Sequence, residues 1–435
     1  MQNEKNEIEI FLKKHNLHHS SINFDNACKD FLDEMNKGLS KENETLKMLP
    51  TYVTIKDILP KNEPIITIDA GGTNFRTAVV SFSTDGEVKI ENFKNHSMPG
   101  IDKPITKDEF FDIVAEYLKP IINLSNKIAF CFSYPVNMQP NKDGKLIHFT
   151  KEIKITGMEN QLICEGIQKS LYKLGINQEK KFILLNDTVS SMLAGVAFSK
   201  RPYSSYIGLI LGTGVNTCYI EQNSNIKKLA FQTNGSMLIN MELGGYSKVS
   251  LSTFDKKIDC TSENIGKQLY EKMISGAYLG KLIGYTIKGA IEDNIFSDEF
   301  KINFEKIDIN SLSLKEINEF YQQPYNSDRL SLCCKSTSDR IKLYYIIDFI
   351  FERTAKLVVL GLSSIIMKTK NGYDPTLPVC ICADGSVFNK CHALRHKIYY
   401  YMKQFLTDKH NIYFEFITPQ NATLVGTAIA GLYNL

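Results

Sequence analysis

Residues 64–82 read Pro-Ile-Ile-Thr-Ile-Asp-Ala-Gly-Gly-Thr-Asn-Phe-Arg-Thr-Ala-Val-Val-Ser-Phe. Two β-branched runs enclose a Gly71-Gly72 turn, a pattern that predicts a hairpin and leaves this stretch little else to become. Asp69 closes the first run, and Thr73, Asn74 and Arg76 open the second. Such a turn can grip a polyphosphate. Glycines let backbone N–H groups approach an anion, and a hydroxyl, an amide and a guanidinium add side-chain donors. The aspartate can hold water around a magnesium ion. The same stretch also reads as an ordinary hairpin with a Gly-Gly turn.

The chain has 435 residues, more than one core of ordinary size accommodates, so two domains are expected. Apolar content of 43% with 23% charged residues describes a globular chain. Lys and Arg number 51 and Asp and Glu 48, a balance of +3 that does not suggest nucleic acid as a partner. The Lys/Asn-rich start shows no apolar signal-peptide core. The uncharged run Leu357–Met367 is too short to span a bilayer. The ten cysteines sit mostly in apolar runs without a Cys-x-x-Cys pair, which reads as reduced, buried thiols in a cytoplasmic protein. Cys380, Cys382, Cys391 and His392 lack the spacing of metal ligands.

Along the chain, residues 5–48 read as helical and Pro50 and Pro60 bracket a connector. Thr106-Lys-Asp-Glu109 is a capping box for a helix that Pro120 stops. Strands are expected at Lys127–Ser133 and Phe182–Leu185, the second followed by Asn186-Asp187-Thr188 and a helix to about Phe198. After Arg201-Pro202 the opening pattern returns: strand Tyr206–Leu211, turn Gly212-Thr213-Gly214, strand Asn216–Glu221. Helices are expected around 262–290, 339–368 and 422–433. A strand at Val379–Ala383 leads into Asp384-Gly385-Ser386. Strands and helices alternate, with polar residues at strand C-termini, the edge where α/β sheets bind ligands.

The chain contains no Gly-x-x-x-x-Gly-Lys-[Ser/Thr], and Gly212-x-Gly214 lacks the third glycine of a dinucleotide fingerprint. What remains is three turn loops: Asp69–Arg76, Gly212–Asn216 and Asp384–Ser386. A second set is polar without being basic: Ser133, Thr150, Lys151, Asn186, Asp187, Asn216, Glu242 and Glu271. A neutral ligand with many hydroxyls needs carboxylates and amides of this kind, although each residue alone reads equally as a cap or a surface group.

These segments together closely resemble the eukaryotic-type hexokinases, from about residue 34 to the C-terminus. The resemblance runs through Met35–Leu39, Leu46–Val53, Asp69–Arg76, Phe132–Pro135, Leu146–Lys151, Leu185–Val189, Gly208–Glu221, Asn240–Glu242 and Gln268–Gly280. It implies an α/β, two-lobed actin-like ATPase (ribonuclease-H-like) fold, with the ligand cleft between a small and a large domain. The small domain would comprise 64–201 plus 419–435, and the large domain 1–63 plus 202–418. The implied cofactors are ATP and Mg2+. The implied substrate is a hexose such as glucose, mannose, fructose or glucosamine, and the implied assembly is a monomer or homodimer without a membrane anchor.

Residue by residue, the resemblance puts Ser133, Thr150, Lys151, Asn186, Asp187, Asn216, Glu242, Gln268 and Glu271 around the sugar. Asp69, Gly71, Gly72, Thr73, Asn74, Arg76, Thr213 and Gly214 stand at the phosphate loops, with Asp69 toward the metal. Gly276, Asp384, Gly385, Ser386 and Thr423 stand toward the nucleotide. Asp187 would be the general base, with Thr188 capping the following helix, and Lys151 and Arg76 would meet developing charge. Closure of the lobes over the sugar would bring Glu242 and Glu271 onto it.

Phe149 and Leu243 stand where the family usually has Trp, Glu152 where it has Gly, and Thr423-Leu-Val-Gly426 where it has Ser-Gly-Lys-Gly. A non-catalytic sugar sensor on the same scaffold is the competing reading, and an actin- or chaperone-like ATPase a third. Intact Asp187 and intact phosphate loops favour the phosphotransferase.

Overall fold

The computed structural model describes residues 2–42, 44–56, 58–149, 153–199, 201–229, 234–326 and 329–435. Two sheets organise it. The first hairpin forms as expected, with strand Ile65–Ala70 antiparallel to Asn74–Phe82 and Asp69 opposite Arg76. Strand Val88–Ser97 extends this sheet on one side, and Lys127–Phe132 and Lys181–Leu185 add in parallel on the other. Cys131 pairs in register with both Asp69 and Leu185. Three parallel strands therefore finish on one edge, and the residues just beyond them, Ser133 and Asn186-Asp187, emerge beside the Gly71-Gly72 turn.

The second sheet orders Leu49–Pro50, Ser236–Asn240, Val215–Gln222, Ser205–Leu211, Val379–Asp384 and Phe414–Ile417. Its hairpin Ser205–Leu211/Val215–Gln222 repeats the first one's plan. Val379–Asp384 runs parallel to Ser205–Leu211, which sets Asp384 opposite Ile210 and brings the loops after both strands together.

The helix Lys107–Leu118 starts on the expected capping box, with Thr106 and Glu109 exchanging bonds. It packs with Ile163–Lys173 on one face of the first sheet, burying Phe110, Phe130 and Leu171. The 33-residue helix Thr337–Thr369 shares one hydrophobic cluster with the second sheet, and Gln2–Lys14, Phe24–Ser40 and His392–Met402 lie against it. Arg353 of that helix is 2% exposed and bonds Asp255 at 2.6 Å. Asp255 also accepts the N–H of Ser252, so this buried ion pair has a further hydrogen bond to offset its desolvation.

Helix Asp187–Phe198 lies between the sheets, touching Ser205–Leu211 and Val379–Asp384 on one side and the C-terminal helix Ala422–Asn434 on another. That last helix in turn covers Ile65–Ala70 and Lys127–Phe132. The two helices approach so closely that a Cβ at Gly426 would stand 1.7 Å from the Ser190 carbonyl oxygen.

Three local expectations need correction. The segment expected as helix over 5–48 is two helices, Gln2–Lys14 and Phe24–Ser40, because Asn23 caps a new start. The segment 262–290 is interrupted until Leu269: Asp259 takes the Gly266 N–H on both oxygens, and Gln268 adopts φ 52°, so no helix can run through. Thr188 does not cap the helix after it. Asn186 does, accepting the Thr188 N–H at 2.9 Å, because an N-cap must lie outside the helix and the helix already begins at Asp187.

Gly426→Ala drives a methyl into backbone that cannot yield. It is expected to cost about 3 kcal/mol or more of stability, and denaturant unfolding of the variant beside the parent checks it.

Candidate active site

Asp69 is 6% exposed, and its Oδ2 receives the Thr423 hydroxyl at 2.8 Å and the Arg76 guanidinium at 3.3 Å. Burial raises its pKa, the Thr423 hydrogen bond and Arg76 pull it back, and the charge of Asp187 raises it further. Thr423 arrives from the C-terminal helix, so that helix is part of the site's wall. Asp187 opens its helix half-buried and accepts the Thr188 hydroxyl at 3.3 Å. Its backbone is anchored on the second hairpin, where the Cys218 thiol reaches the Thr188 carbonyl at 3.1 Å.

The second hairpin carries the other wall. Asn216 donates to Asn240 at 2.7 Å, and Asn240 donates to Glu242 at 2.9 Å. The Asn216 oxygen takes the N–H groups of Thr217 and Leu243. Glu271 accepts the Val215 N–H at 3.0 Å. Glu242 and Gln268 both hold left-handed backbone, φ 57° and 52°, a cost that the surrounding structure must impose on residues with side chains. Glu242 is half-buried by surface, yet the protein around its carboxyl raises its pKa; Lys47 opposes this shift and Asp187 adds to it. Burial also raises Glu271, against the bond from Val215. Asp187 is thus felt by Asp69 on one wall and by Glu242 on the other.

A third cluster joins the loops expected to face the nucleotide. Gly276 and Ala277, which start a helix, donate to the carbonyls of Gly212 and Thr213 at 2.8 and 3.1 Å. Asp384 accepts the Gly385 N–H at 2.6 Å and Asn389 at 2.9 Å. Gly385 sits at φ 110°, with a Cβ position only 2.4 Å from the Leu211 carbonyl oxygen, so only glycine fits. Ser386 follows, exposed at the start of a short helix.

Thr73 and Asn74 bond each other at 2.9 Å, and Asn95 bonds Asn74 at 3.1 Å, so these two belong to the hairpin tip. Thr150 and Lys151 lie outside the described residues. Phe149 stacks edge-on to Tyr134 at 5.1 Å, and Leu243 is buried over Gly361, so both non-Trp positions are filled by apolar packing.

Reading the chain as sequence passed over three contributors. Asn240 had a signal, since it stands two positions before Glu242 at the end of a strand. Lys272 had none: beside Glu271 it looks like a surface charge. In the fold it is 3% exposed and bonds Asp259 and the Asn264 carbonyl, each at 2.6 Å, which holds the segment leading into Gln268 and Glu271. Tyr134, 1% exposed, donates from its hydroxyl to the Gly71 carbonyl at 2.6 Å.

Models of the hexokinase family match residues 7–197 and 206–433. The chain belongs to the hexokinase family. It is 30% identical to human Hexokinase-2 over 83% of this chain and 41% of that protein, and 27% identical to Schistosoma mansoni hexokinase over 85% of each. The chain therefore spans less than half the length of the human relative. In three dimensions it is similar to the structure of Schistosoma mansoni hexokinase complexed with glucose, with a TM-score of 0.78 at 24% identity over 99% of both chains. A glucokinase from an Antarctic psychrotroph matches at a TM-score of 0.53 and 15% identity, over 85% of this chain and 99% of that one. The fold is the two-lobed sugar-kinase fold. Among the described residues no helix is long and apolar enough to cross a membrane.

Raised carboxyl pKa values carry a stability cost with a definite sign. The folded chain holds the Glu242 proton to higher pH than the unfolded chain does, so stability falls as pH rises from the unfolded value through the folded one. Glu242→Gln is expected to raise the melting temperature of the ligand-free protein by roughly 1–2 °C at pH 7.5, and by less at pH 5. Thermal melts at both pH values test this; an equal gain at each contradicts it.

Proposed function

We propose that this chain transfers the γ-phosphoryl group of ATP to the 6-hydroxyl of a hexose, D-glucose first among them, giving hexose 6-phosphate and ADP, the first step of glycolysis. The observation that carries the reading is the position of Asp187: it starts the helix after strand Lys181–Leu185, on the sheet edge it shares with Asp69, and that helix start is held to the second hairpin by Cys218. A base between a phosphate grip and a polar wall is what in-line transfer to a sugar hydroxyl requires. Membership of the hexokinase family supports it, as does the likeness to a fold that holds glucose in the Schistosoma mansoni protein.

In this reading the small lobe is 64–201 plus 419–435, and the large lobe is 1–63 plus 202–418. Ser133, Thr150, Lys151, Asn186, Asn216, Glu242, Gln268 and Glu271 hold the sugar hydroxyls. Asp187 orients the 6-hydroxyl and takes its proton as the phosphoryl group arrives. Arg76, Lys151 and the backbone N–H groups of the two glycine turns meet the charge on the phosphate oxygens. Gly276, Asp384, Gly385 and Ser386 border the adenosine.

The residues fit a cation shared with the nucleotide. Asp69 is a buried acid whose raised pKa is relieved by positive charge. Among the described residues no cluster of three or more His, Cys, Asp or Glu offers a cage, which suits an ion that keeps most of its water. Bound with the nucleotide, magnesium would supply positive charge to the phosphates, and Asp69 is the residue that would hold it.

Glu242 and Glu271 complete the sugar wall only when the lobes meet over the ligand, so closure accompanies sugar binding and excludes water from the phosphoryl group.

Glucose-dependent ADP release in a coupled assay tests the reading, with Asp187→Ala as the blank. The variant is expected to lose about 10²–10⁴-fold in kcat. Sugar binding by calorimetry without any turnover in the parent chain overturns it in favour of a sensor. Glu242→Ala and Glu271→Ala are expected to raise the KM for glucose at least tenfold, since each strips a charged acceptor from a hydroxyl. An unchanged KM in both refutes this cleft.

A further inference from the structure

The segment Ser133-Tyr134-Pro135 and the Gly71-Gly72 turn are expected to serve different ligands, yet the structure zips them together. The Ser133 N–H donates to the Ala70 carbonyl at 3.1 Å, and the Tyr134 hydroxyl donates to the Gly71 carbonyl at 2.6 Å. Consecutive residues of one loop thus hold consecutive carbonyls of the other. Tyr134 is fixed in turn: its ring lies in the core of the first lobe, 4.8 Å from Phe132 and 5.1 Å from Phe149 by centroids. The Gly71 N–H is also committed, to the Asn74 carbonyl at 3.0 Å.

Peptide planarity turns this contact into an aim. The carbonyl of Gly71 and the N–H of Gly72 belong to one trans peptide unit and point in opposite directions. Holding the carbonyl toward a buried tyrosine therefore turns the Gly72 N–H away from the first-lobe core. Without the hydroxyl, a glycine pair is among the easiest places in a chain for a peptide plane to rotate. The other lobe carries a counterpart: Glu271, from the sugar wall, holds the Val215 N–H just after the second glycine turn.

We propose that Tyr134 is a positioning residue for the phosphate end of the nucleotide: its hydroxyl sets the direction of the Gly72 N–H, and through Ser133 it couples occupancy of the sugar loop to the first phosphate turn. This rests on the phosphotransferase reading above and adds a link between the two ligands.

The test uses the full chain. Tyr134→Phe keeps the ring and removes the hydroxyl, and 4-aminophenylalanine at 134 restores an N–H donor. Calorimetry gives the affinity for glucose alone, and for a non-hydrolysable ATP analogue with magnesium in the presence of saturating glucose; steady-state rates give kcat and the KM for ATP. The expected result is a glucose affinity within twofold of the parent, a loss of about tenfold in analogue affinity and in kcat/KM for ATP with Phe, and recovery of most of it with 4-aminophenylalanine. Unchanged nucleotide parameters overturn the proposal. So does a parallel loss for both ligands, which marks a merely structural ring contact. If Tyr134→Phe does not fold, the 4-aminophenylalanine protein decides: nucleotide affinity within threefold of the parent supports the proposal, and a tenfold loss overturns it. A parent chain without turnover defeats the phosphotransferase reading, and the analogue affinities still judge Tyr134.

Discussion

Asp69 and Glu242 are acids whose charged forms burial disfavours, and the charge of Asp187 adds to the strain on each. Much of the site is a response to that strain. Arg76 and Thr423 close on one oxygen of Asp69, and Lys47 offsets the rise at Glu242. Val215 gives its N–H to Glu271. What these partners leave over is a demand for hydrogen-bond donors and positive charge. Under the proposed function a sugar's hydroxyls and a magnesium-bearing nucleotide would meet that demand.

Buried acids of this kind need a stiff frame. Three parallel strands in register end on one edge, with Ser133 and Asp187 following and the Gly71 turn beside them. The C-terminal helix braces this arrangement from behind. It holds Asp69 through Thr423 and the Asp187 helix through the contact of Thr427 with Ser190 at 3.0 Å, with Gly426 allowing the helices to meet. In the other lobe the buried Arg353–Asp255 pair and the Lys272–Asp259 bond do similar service, the second beside Gln268 and Glu271.

The repeated hairpin gives the fold two glycine turns, and a side chain from elsewhere holds the backbone at each, Tyr134 at the first and Glu271 just after the second. Helix Asp187–Phe198 touches both sheets. A shift of one lobe against the other is therefore felt at Asp187 and at both turns together, and under the proposed function this is a physical route from sugar binding to alignment of the phosphoryl group.

Strong local signals were enough to locate both hairpins, the Thr106 capping box, the long helix and the strand before Asp384, because β-branched runs, glycine turns and caps act over a few residues. At Asp69–Arg76 and Asn186-Asp187 the residue types alone mark the candidates that the proposed function uses. The sequence alone therefore determined the fold class and the family, and named the acids. Which acid feels which was decided only in three dimensions, since register and burial join residues hundreds of positions apart, as Thr423 to Asp69. Tertiary structure also decided that Asn186 rather than Thr188 caps the Asp187 helix, that residues 261–268 break a helix, and that Lys272 bonds Asp259 and Tyr134 bonds Gly71. The reason is common to all of them. A side chain's partner is chosen by what folding brings within about 3 Å of it, and a lysine beside a glutamate or a tyrosine in an apolar run carries no mark of that partner in the sequence.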